Sequence, residues 1–124
     1  MQLQIQHISD KLDELVNSGT LTFQEVKNYK NIMGVYLIFD QLDQLMYVGS
    51  TNKFQVRFGT DLRHESTHTL MKKLIKQNIH IDRLTAQNHF SNHYTYKINI
   101  CKDKREAEAL EHLAIWILQP IYNK

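Results

Sequence analysis

The sequence predicts an α/β (α+β) domain in which a small three-stranded, mainly antiparallel sheet is flanked by helices. Two runs rich in β-branched and aromatic residues, 32–39 and 45–49, are separated by a short polar loop, which is typical of a hairpin. A third run of this kind, 94–100, completes the sheet. Apolar residues at helical spacing near both ends of the chain predict the covering helices. With 124 residues, the chain is long enough for one domain with its own core.

Composition excludes several classes of protein. The chain has one cysteine, Cys101, which excludes an intramolecular disulfide framework and favours a reducing compartment. It has no run of about 18 apolar residues, and its first residues lack the basic start and long apolar run of a signal peptide. We therefore expect a cytoplasmic protein without a membrane segment.

Residues 1–31 are predicted to form a helical extension packed on the domain, which itself spans residues 32–124. The first helix is indicated by helical spacing and ends near Gly19. The second starts at Thr22, where Glu25 three residues later completes a capping-box pattern. This part carries no chemical motif, so it either covers one face of the sheet or offers a surface to a protein partner. The apolar positions of the first helix are Ile5, Ile8, Leu12, Leu15 and Val16.

The predicted hairpin contains two similar triplets, Gly34-Val35-Tyr36 in its first strand and Tyr47-Val48-Gly49 in its second. Antiparallel pairing can place both tyrosines on one surface. Glycine within a strand leaves room for another group to approach the backbone. Hairpins with tyrosines also occur in small α/β domains of other functions, so the triplets alone do not decide the function.

The segment after the hairpin combines a helix start with candidate phosphate ligands. Residues 50–52 are all good N-caps, so a helix is predicted to begin near Lys53. Arg57 then lies one turn into this helix, beside the tyrosines. A surface arginine is usually a solvated charge, but its planar fork suits phosphate better than a lysine does. His64 and His68 follow at i, i+4 spacing, where no cysteine or carboxylate completes a zinc set, which favours surface or phosphate-contacting histidines.

Basic residues are concentrated in residues 50–80, where six lysines and arginines stand against two acidic residues. Such a concentration is typical of a phosphate-facing surface. Within it, a helix is predicted from Thr69, with Leu70, Leu74 and Ile75 facing inward and the lysines facing outward. The candidate nucleic-acid contacts of this segment are Lys53, Arg63, His64, Lys72, Lys73 and Lys76.

The C-terminal part is predicted to hold a loop, the third strand and a long helix. Residues 78–92 are polar without clear periodicity, so we expect mostly loop, which could contact nucleic acid. The last helix begins after an Asp103 cap and runs to about Leu118, before Pro120. Glu111 lies on the flank of its apolar stripe. Taken alone, Glu111 is a surface glutamate, because burying a bare carboxylate is costly.

Five elements occur in the order Gly34-Val35-Tyr36, Tyr47-Val48-Gly49, Arg57, Leu110-Glu111-His112 and Pro120-Ile121-Tyr122-Asn123. Together they resemble the GIY-YIG nuclease family over residues 33–123, about three quarters of the chain. Two departures are mild. Val35 and Val48 replace the isoleucines of the family name, and Ser50 stands where some members carry a lysine. Any role of that lysine is therefore absent or relocated here.

The resemblance implies a metal-dependent DNA endonuclease, with Mg²⁺ (or Mn²⁺) as cofactor and DNA as partner. Glu111 would hold the metal, since a carboxylate is a hard oxygen ligand of the kind that Mg²⁺ prefers. Arg57 would hold the scissile phosphate and stabilise charge in the transition state. Tyr36 is the candidate general base or water-positioning group, and Tyr47 would orient phosphate or water. The likeness to homing members makes His68 a further candidate in the active site.

The resemblance also gives roles to residues outside the chemistry. Gly34 and Gly49 would maintain the backbone of the motif, and Asn123 would fix the C-terminal tail against the site. A phage or another mobile element is one expected origin. Two alternatives from other classes are a non-catalytic nucleic-acid-binding module that kept the fold, and a protein-interaction domain that works through residues 1–31. A binding module has no need for Glu111, which favours the nuclease.

Overall fold

The computed structural model of the chain describes residues 2–29, 32–52, 69–77, 79–80 and 82–123. In this part of the chain a three-stranded antiparallel sheet lies between two groups of helices, which confirms the predicted α+β fold. The elements are α1 (Gln2–Asn17), α2 (Phe23–Lys27), β1 (Gly34–Phe39), β2 (Leu45–Thr51), α3 (Thr69–Lys76), α4 (Arg83–Asn92), β3 (Thr95–Ile100) and α5 (Lys104–Leu118). The helix predicted near Lys53 lies outside the described residues.

The sheet has the strand order β2-β1-β3, and both pairs are antiparallel. β1 is central, and Gly34 at its start pairs with Thr51 on one side and Ile100 on the other. β2 is therefore an edge strand, bonded to β1 along one side only within the sheet.

Asp40 shapes the hairpin turn between β1 and β2. Its Oδ1 accepts hydrogen bonds from the backbone N–H groups of Leu42 (2.8 Å) and Gln44 (3.0 Å). Asp43 adopts a φ of 60°, in the left-handed region that aspartate tolerates better than most residues. The local side-chain bonds of Asp40 thus explain why the polar stretch between the two β-prone runs turns the chain.

Two cores form because side chains alternate between the two faces of the sheet. On one face, which we call the tyrosine face, β1 and β3 pack against α2, α3 and α4. On the other, the α1/α5 face, β1 and β2 pack against α1 and α5. All six tyrosines of the chain belong to the tyrosine face: Tyr29, Tyr36, Tyr47, Tyr94, Tyr96 and Tyr122.

The predicted N-terminal helices are present. Thr22 and Glu25 form the capping box of α2: the side chain of each accepts a hydrogen bond from the backbone N–H of the other. Leu12 and Leu15 of α1 are buried in the same core as Val35 of the central strand. α1 therefore supplies part of the core on the α1/α5 face.

Glu106, near the start of α5, ties α1 to α5. It accepts a hydrogen bond from the backbone N–H of Lys102 (3.1 Å) and lies 2.8 Å from Nε2 of His7 and 3.4 Å from Nζ of Lys11. Burial alone would raise the pKa of Glu106, but the bonds from His7 and Lys102 and the charge of Lys11 hold it below its usual value. A buried carboxylate of α5 is thus stabilised by two side chains of α1 and by the backbone just before α5.

Residues 83–92 form a helix, α4, so the prediction that residues 78–92 are mostly loop is wrong. Asp82 caps this helix by accepting a hydrogen bond from the backbone N–H of Thr85 (2.8 Å). Of the side chains of α4 that the structure describes, Ala86 and Phe90 are buried, one turn apart on the tyrosine face. Because the third apolar side chain, Leu84, is exposed, the sequence shows no clear helical period here.

Candidate active site at the edge of the sheet

The two motif tyrosines lie together on the tyrosine face. The ring centroids of Tyr36 on β1 and Tyr47 on β2 are 6.4 Å apart, with the planes inclined by 37°. Tyr36 is only 4% exposed, whereas Tyr47 is half-buried. Antiparallel pairing places Tyr36 opposite Gly49, so the two tyrosines are diagonal neighbours across the hairpin.

Gly49 is required by the position of the Tyr36 ring. A Cβ added to Gly49 would lie 2.4 Å from both Cζ and Oη of Tyr36. The ring therefore crosses from the central strand, and its hydroxyl end lies over the backbone of the edge strand. The sequence predicts that a glycine in the strand leaves room for another group to approach the backbone. At Gly49 this group is the ring of Tyr36. The need for glycine here is steric, since Gly49 does not adopt a positive φ.

Glu111 reaches the same strand from the opposite face of the sheet. It lies on α5, half-buried, and its Oε1 accepts a hydrogen bond of 2.8 Å from the hydroxyl of Ser50. Tyr47 and Gly49 face the tyrosine face, whereas Val48 and Ser50 face α5. The candidate site therefore straddles the outer edge of β2, with phenols on one side and a carboxylate on the other.

The C-terminal tail runs along the outer edge of β2. The backbone N–H groups of Ile121 and Tyr122 donate to the carbonyls of Leu45 (3.3 Å) and Met46 (2.9 Å). The side-chain amide of Asn123 then pairs with the backbone of Val48, the residue between Tyr47 and Gly49. The tail thus lies along this edge and hydrogen-bonds to its backbone.

Asn123 makes two hydrogen bonds to one residue, Val48. Its Oδ1 accepts from the N–H of Val48 (2.7 Å), and its Nδ2 donates to the carbonyl of Val48 (2.8 Å). An amide side chain can pair in this way because it offers one acceptor and one donor, as a peptide group does. Asn123 therefore holds the part of β2 that carries Tyr47 and Gly49.

The three predicted contact lysines of α3 differ in their surroundings. Lys72 and Lys76 are exposed, as expected. Lys73 is half-buried, and its Nζ donates a hydrogen bond of 2.5 Å to the carbonyl of Tyr122. On the same helix Met71, which the sequence did not assign to the inward side, is fully buried, and Ile75 is only half-buried against the same core.

Other predicted site residues lie outside the described part of the chain: Lys53, Arg57, Arg63, His64 and His68. Among the described residues, Tyr36, Tyr47, Gly49, Glu111 and Asn123 converge on one stretch of β2. The sequence interpretation missed the contacts of Ser50 and Lys73. The side of the strand on which Ser50 lies follows from alternation, but its partner is 61 residues away in the sequence.

A group of histidines lies beside Tyr94, which belongs to the tyrosine face. The ring of His89 lies 4.4 Å from that of buried His80 and 4.8 Å from that of His93. Burial, and then the neighbouring His89, lower the pKa of His80. Burial raises the pKa of the Tyr94 hydroxyl, so this phenol stays protonated and can donate to Nε2 of His80, 2.6 Å away.

Glu111 is the candidate metal ligand. Among the described residues, no group of three or more histidine, cysteine, aspartate or glutamate side chains could hold a metal ion. One carboxylate with water molecules completing the shell is an ordinary arrangement for Mg²⁺. The half-buried carboxylate of Glu111, oriented through one oxygen by Ser50, fits such an ion.

No helix in the described part of the chain is long and apolar enough to cross a membrane.

A family model described as the GIY-YIG catalytic domain matches residues 32–123, about three quarters of the chain. No curated protein and no solved structure matches the chain. The matched range begins before β1 and ends at Asn123, so it contains every element that meets at the edge of β2.

Proposed function

The chain belongs to the GIY-YIG nuclease family, and on this premise we propose that it is a metal-dependent DNA endonuclease. Membership supports a nuclease function in general. The choice of DNA as substrate, the divalent metal and the individual roles below are our proposal. The observation that carries it is the meeting of two phenols, a carboxylate and the tail amide at one stretch of the edge strand, Tyr47–Ser50.

Phosphodiester hydrolysis needs an activated water, neutralisation of charge on the phosphate and help for the leaving oxygen. Glu111 would hold a single Mg²⁺ or Mn²⁺. When bound, such an ion supplies a Lewis acid to the phosphate and stabilises the leaving oxygen. Ser50 supports this role, because its hydrogen bond fixes one carboxylate oxygen and so orients the other.

The two tyrosines would activate the attacking water and orient the water or the phosphate. We assign the water-activating role to Tyr36, because its hydroxyl end lies over the edge strand at Gly49. A free phenol has a pKa of about 10, so this role requires nearby positive charge to favour the ionised form. Arg57 is the proposed source of that charge and the ligand of the scissile phosphate. Tyr47, half-buried beside Tyr36, would orient phosphate or water by hydrogen bonding.

Binding of DNA would come from the basic residues between the hairpin and the end of α3. Lys72 and Lys76 are exposed on one helix and therefore accessible to phosphates. Lys53, Arg63 and His64 are proposed contacts from sequence alone, and His68 a proposed active-site partner. We further propose a cytoplasmic protein, since its single cysteine is buried and unpaired, and a phage or mobile-element origin.

Glu111→Gln tests the proposal. The amide is nearly isosteric with the carboxylate but is a much poorer ligand for a hard cation, so cleavage should fall to background while folding persists. The matched control is Glu108→Gln on the same helix, where an exposed carboxylate 3.7 Å from Lys104 is replaced. Cleavage of single-stranded, duplex and branched DNA with Mg²⁺ or Mn²⁺ is measured for all three proteins, with gel-shift affinities and melting curves.

Binding of Mn²⁺, followed by water-proton relaxation, should weaken in Glu111→Gln and stay unchanged in Glu108→Gln. Gel-shift affinity should survive in both, because the proposed phosphate contacts lie elsewhere. A folded Glu111→Gln protein that cuts at the wild-type rate would place the metal elsewhere and refute the mechanism. A wild type that cuts no DNA with any divalent ion would favour the non-catalytic binding module.

A further inference from the structure

Lys73 makes a contact that its neighbours on α3 do not share. Lys72 and Lys76 are exposed, whereas Lys73 is half-buried with its ammonium group on the carbonyl of Tyr122. A lysine on a surface helix usually keeps its ammonium in water, because the group is strongly hydrated. The basic segment is therefore not uniform, and one of its charges is directed toward the C-terminal tail.

The carbonyl that Lys73 contacts belongs to the peptide bond that joins Tyr122 to Asn123. The N–H of Tyr122 donates on its other side to the carbonyl of Met46 on β2. The backbone of Tyr122 is therefore held from two elements, the edge strand and α3. Because the orientation of the peptide between Tyr122 and Asn123 is fixed, the position of the Cα atom of Asn123 is fixed as well.

Asn123 depends on this placement. Its two hydrogen bonds to Val48, of 2.7 and 2.8 Å, both require the amide plane to face the edge of β2. A rotation of the preceding peptide would turn the amide away from the strand and break both bonds together. Val48 lies directly between Tyr47 and Gly49, so such a break would loosen the part of β2 that positions the phenols.

We propose that Lys73 is a positioning residue that seats the tail, and that it is not a phosphate ligand. Its ammonium group fixes the peptide between Tyr122 and Asn123, which lets Asn123 pair with Val48. This pairing holds the part of β2 that carries Tyr47 and that lies against the ring of Tyr36. The effect of Lys73 on cleavage rests on the proposed nuclease function, whereas the seating of the tail does not. A hydrogen bond from a charged donor to a carbonyl is among the stronger ones. Its loss is therefore expected to increase the equilibrium constant for detachment of the tail from β2 by about tenfold or more.

The N–H of Val48 offers a direct measure of the seating. It donates to Asn123, so its exchange with solvent reports how often the tail leaves the strand. In Lys73→Met, which keeps the length of the side chain but removes the ammonium, exchange of the Val48 amide should accelerate by about tenfold. Lys76→Met on the same helix should leave this exchange unchanged. Asn123→Ala, which removes the acceptor itself, is the positive control.

Cleavage of bound DNA provides the second measurement. In single-turnover assays Lys73→Met should cut about tenfold more slowly, as expected for displaced reacting groups, with an unchanged DNA affinity and salt dependence. The control is Lys104→Met, which removes the same charge from an exposed lysine on α5. This variant should cut DNA at the wild-type rate. In an Asn123→Ala background, Lys73→Met should add no further loss of rate, since both changes break one linkage.

Two outcomes would overturn the inference. Unchanged exchange of the Val48 amide in a folded Lys73→Met protein would show that the tail does not need Lys73. A shallower salt dependence of DNA binding in that variant would make Lys73 a phosphate ligand instead. If Lys73→Met does not fold, exchange of the ammonium protons in the wild type decides. These protons should exchange more slowly for Lys73 than for Lys76, and equal rates would contradict the hydrogen bond from Lys73 to the tail. Failure of the wild type to cut DNA would refute the proposed function but leave the exchange measurements valid.

Discussion

Replacing Gly49 by alanine tests whether the placement of Tyr36 controls the proposed reaction. The added Cβ would lie 2.4 Å from Cζ and Oη of Tyr36 and 3.0 Å from its Cε1. Carbon atoms pack at about 3.5–4 Å, so the end of the ring has to move by about 1 Å. The ring has little room to do so, because Tyr36 is 4% exposed and has Tyr47 as a neighbour on the same face.

Two effects of Gly49→Ala are expected, and they can be measured separately. Forcing a methyl group into a packed place should lower the free energy of unfolding by about 1–3 kcal/mol, seen as a lower melting temperature. If Tyr36 acts on the reacting atoms as proposed, moving it by about 1 Å should slow cleavage of bound DNA by about 10²-fold. DNA affinity should change little, since the proposed phosphate contacts lie in the basic segment.

Gly19→Ala is the matched control, because a Cβ at Gly19 meets nothing within 4 Å. It should keep the wild-type rate and melting temperature. Single-turnover cleavage is measured well below both melting temperatures, so that unfolding does not contribute. A folded Gly49→Ala protein that cuts at the wild-type rate would refute the reasoning. So would a further large loss of rate when Gly49→Ala is added to Tyr36→Phe, since the two changes should act through one group.

Two other predictions concern charge. Replacing Lys72 and Lys76 by alanine should weaken binding of duplex DNA regardless of sequence, and the slope of log affinity against log salt should flatten by about 0.9 for each lost contact; an unchanged slope in gel shifts would place the DNA elsewhere. Burial and the neighbouring His89 lower the pKa of His80 in the folded protein. As the pH falls below about 6.5, His80 is therefore protonated more readily in the unfolded chain than in the folded one, which favours unfolding. The melting temperature should therefore fall between pH 7 and pH 5, and fall less in His80→Gln; equal losses would mean that other groups control this range.

Those features of the fold that rest on local signals could be predicted from the sequence. The capping box of Thr22 and Glu25 and the Asp103 cap of α5 are present as expected, because each needs only residues within one turn. The hairpin followed from two β-prone runs and a polar loop. Helix α4 could not be predicted in this way, because its stability comes from burying Ala86 and Phe90 on the tyrosine face.

The direction of Lys73 shows that a flank position on a helix is missed when residues are sorted only into inward and outward ones. Taking Leu70, Leu74 and Ile75 as the inward residues of α3 places all three lysines on the outside. The fully buried residues are Leu70, Met71 and Leu74, and at about 100° per residue Lys73 lies about 100° from the centre of this stripe. Lys72 and Lys76 then lie about 160° from the centre, on the solvent side. A flank position lets a long side chain reach a neighbouring segment, here the tail.

Both edges of the sheet are covered by other segments of the chain, which bears on where the site lies. At β3, Leu21 exchanges two backbone hydrogen bonds with Tyr96, at 2.7 and 2.9 Å. At β2, the tail covers the strand from Leu45 to Val48 and ends in an amide that substitutes for a peptide group. An edge strand needs such cover to avoid pairing with other chains. At β2 the same cover also holds the backbone between Tyr47 and Gly49, so protection of the edge and construction of the candidate site depend on the same few hydrogen bonds.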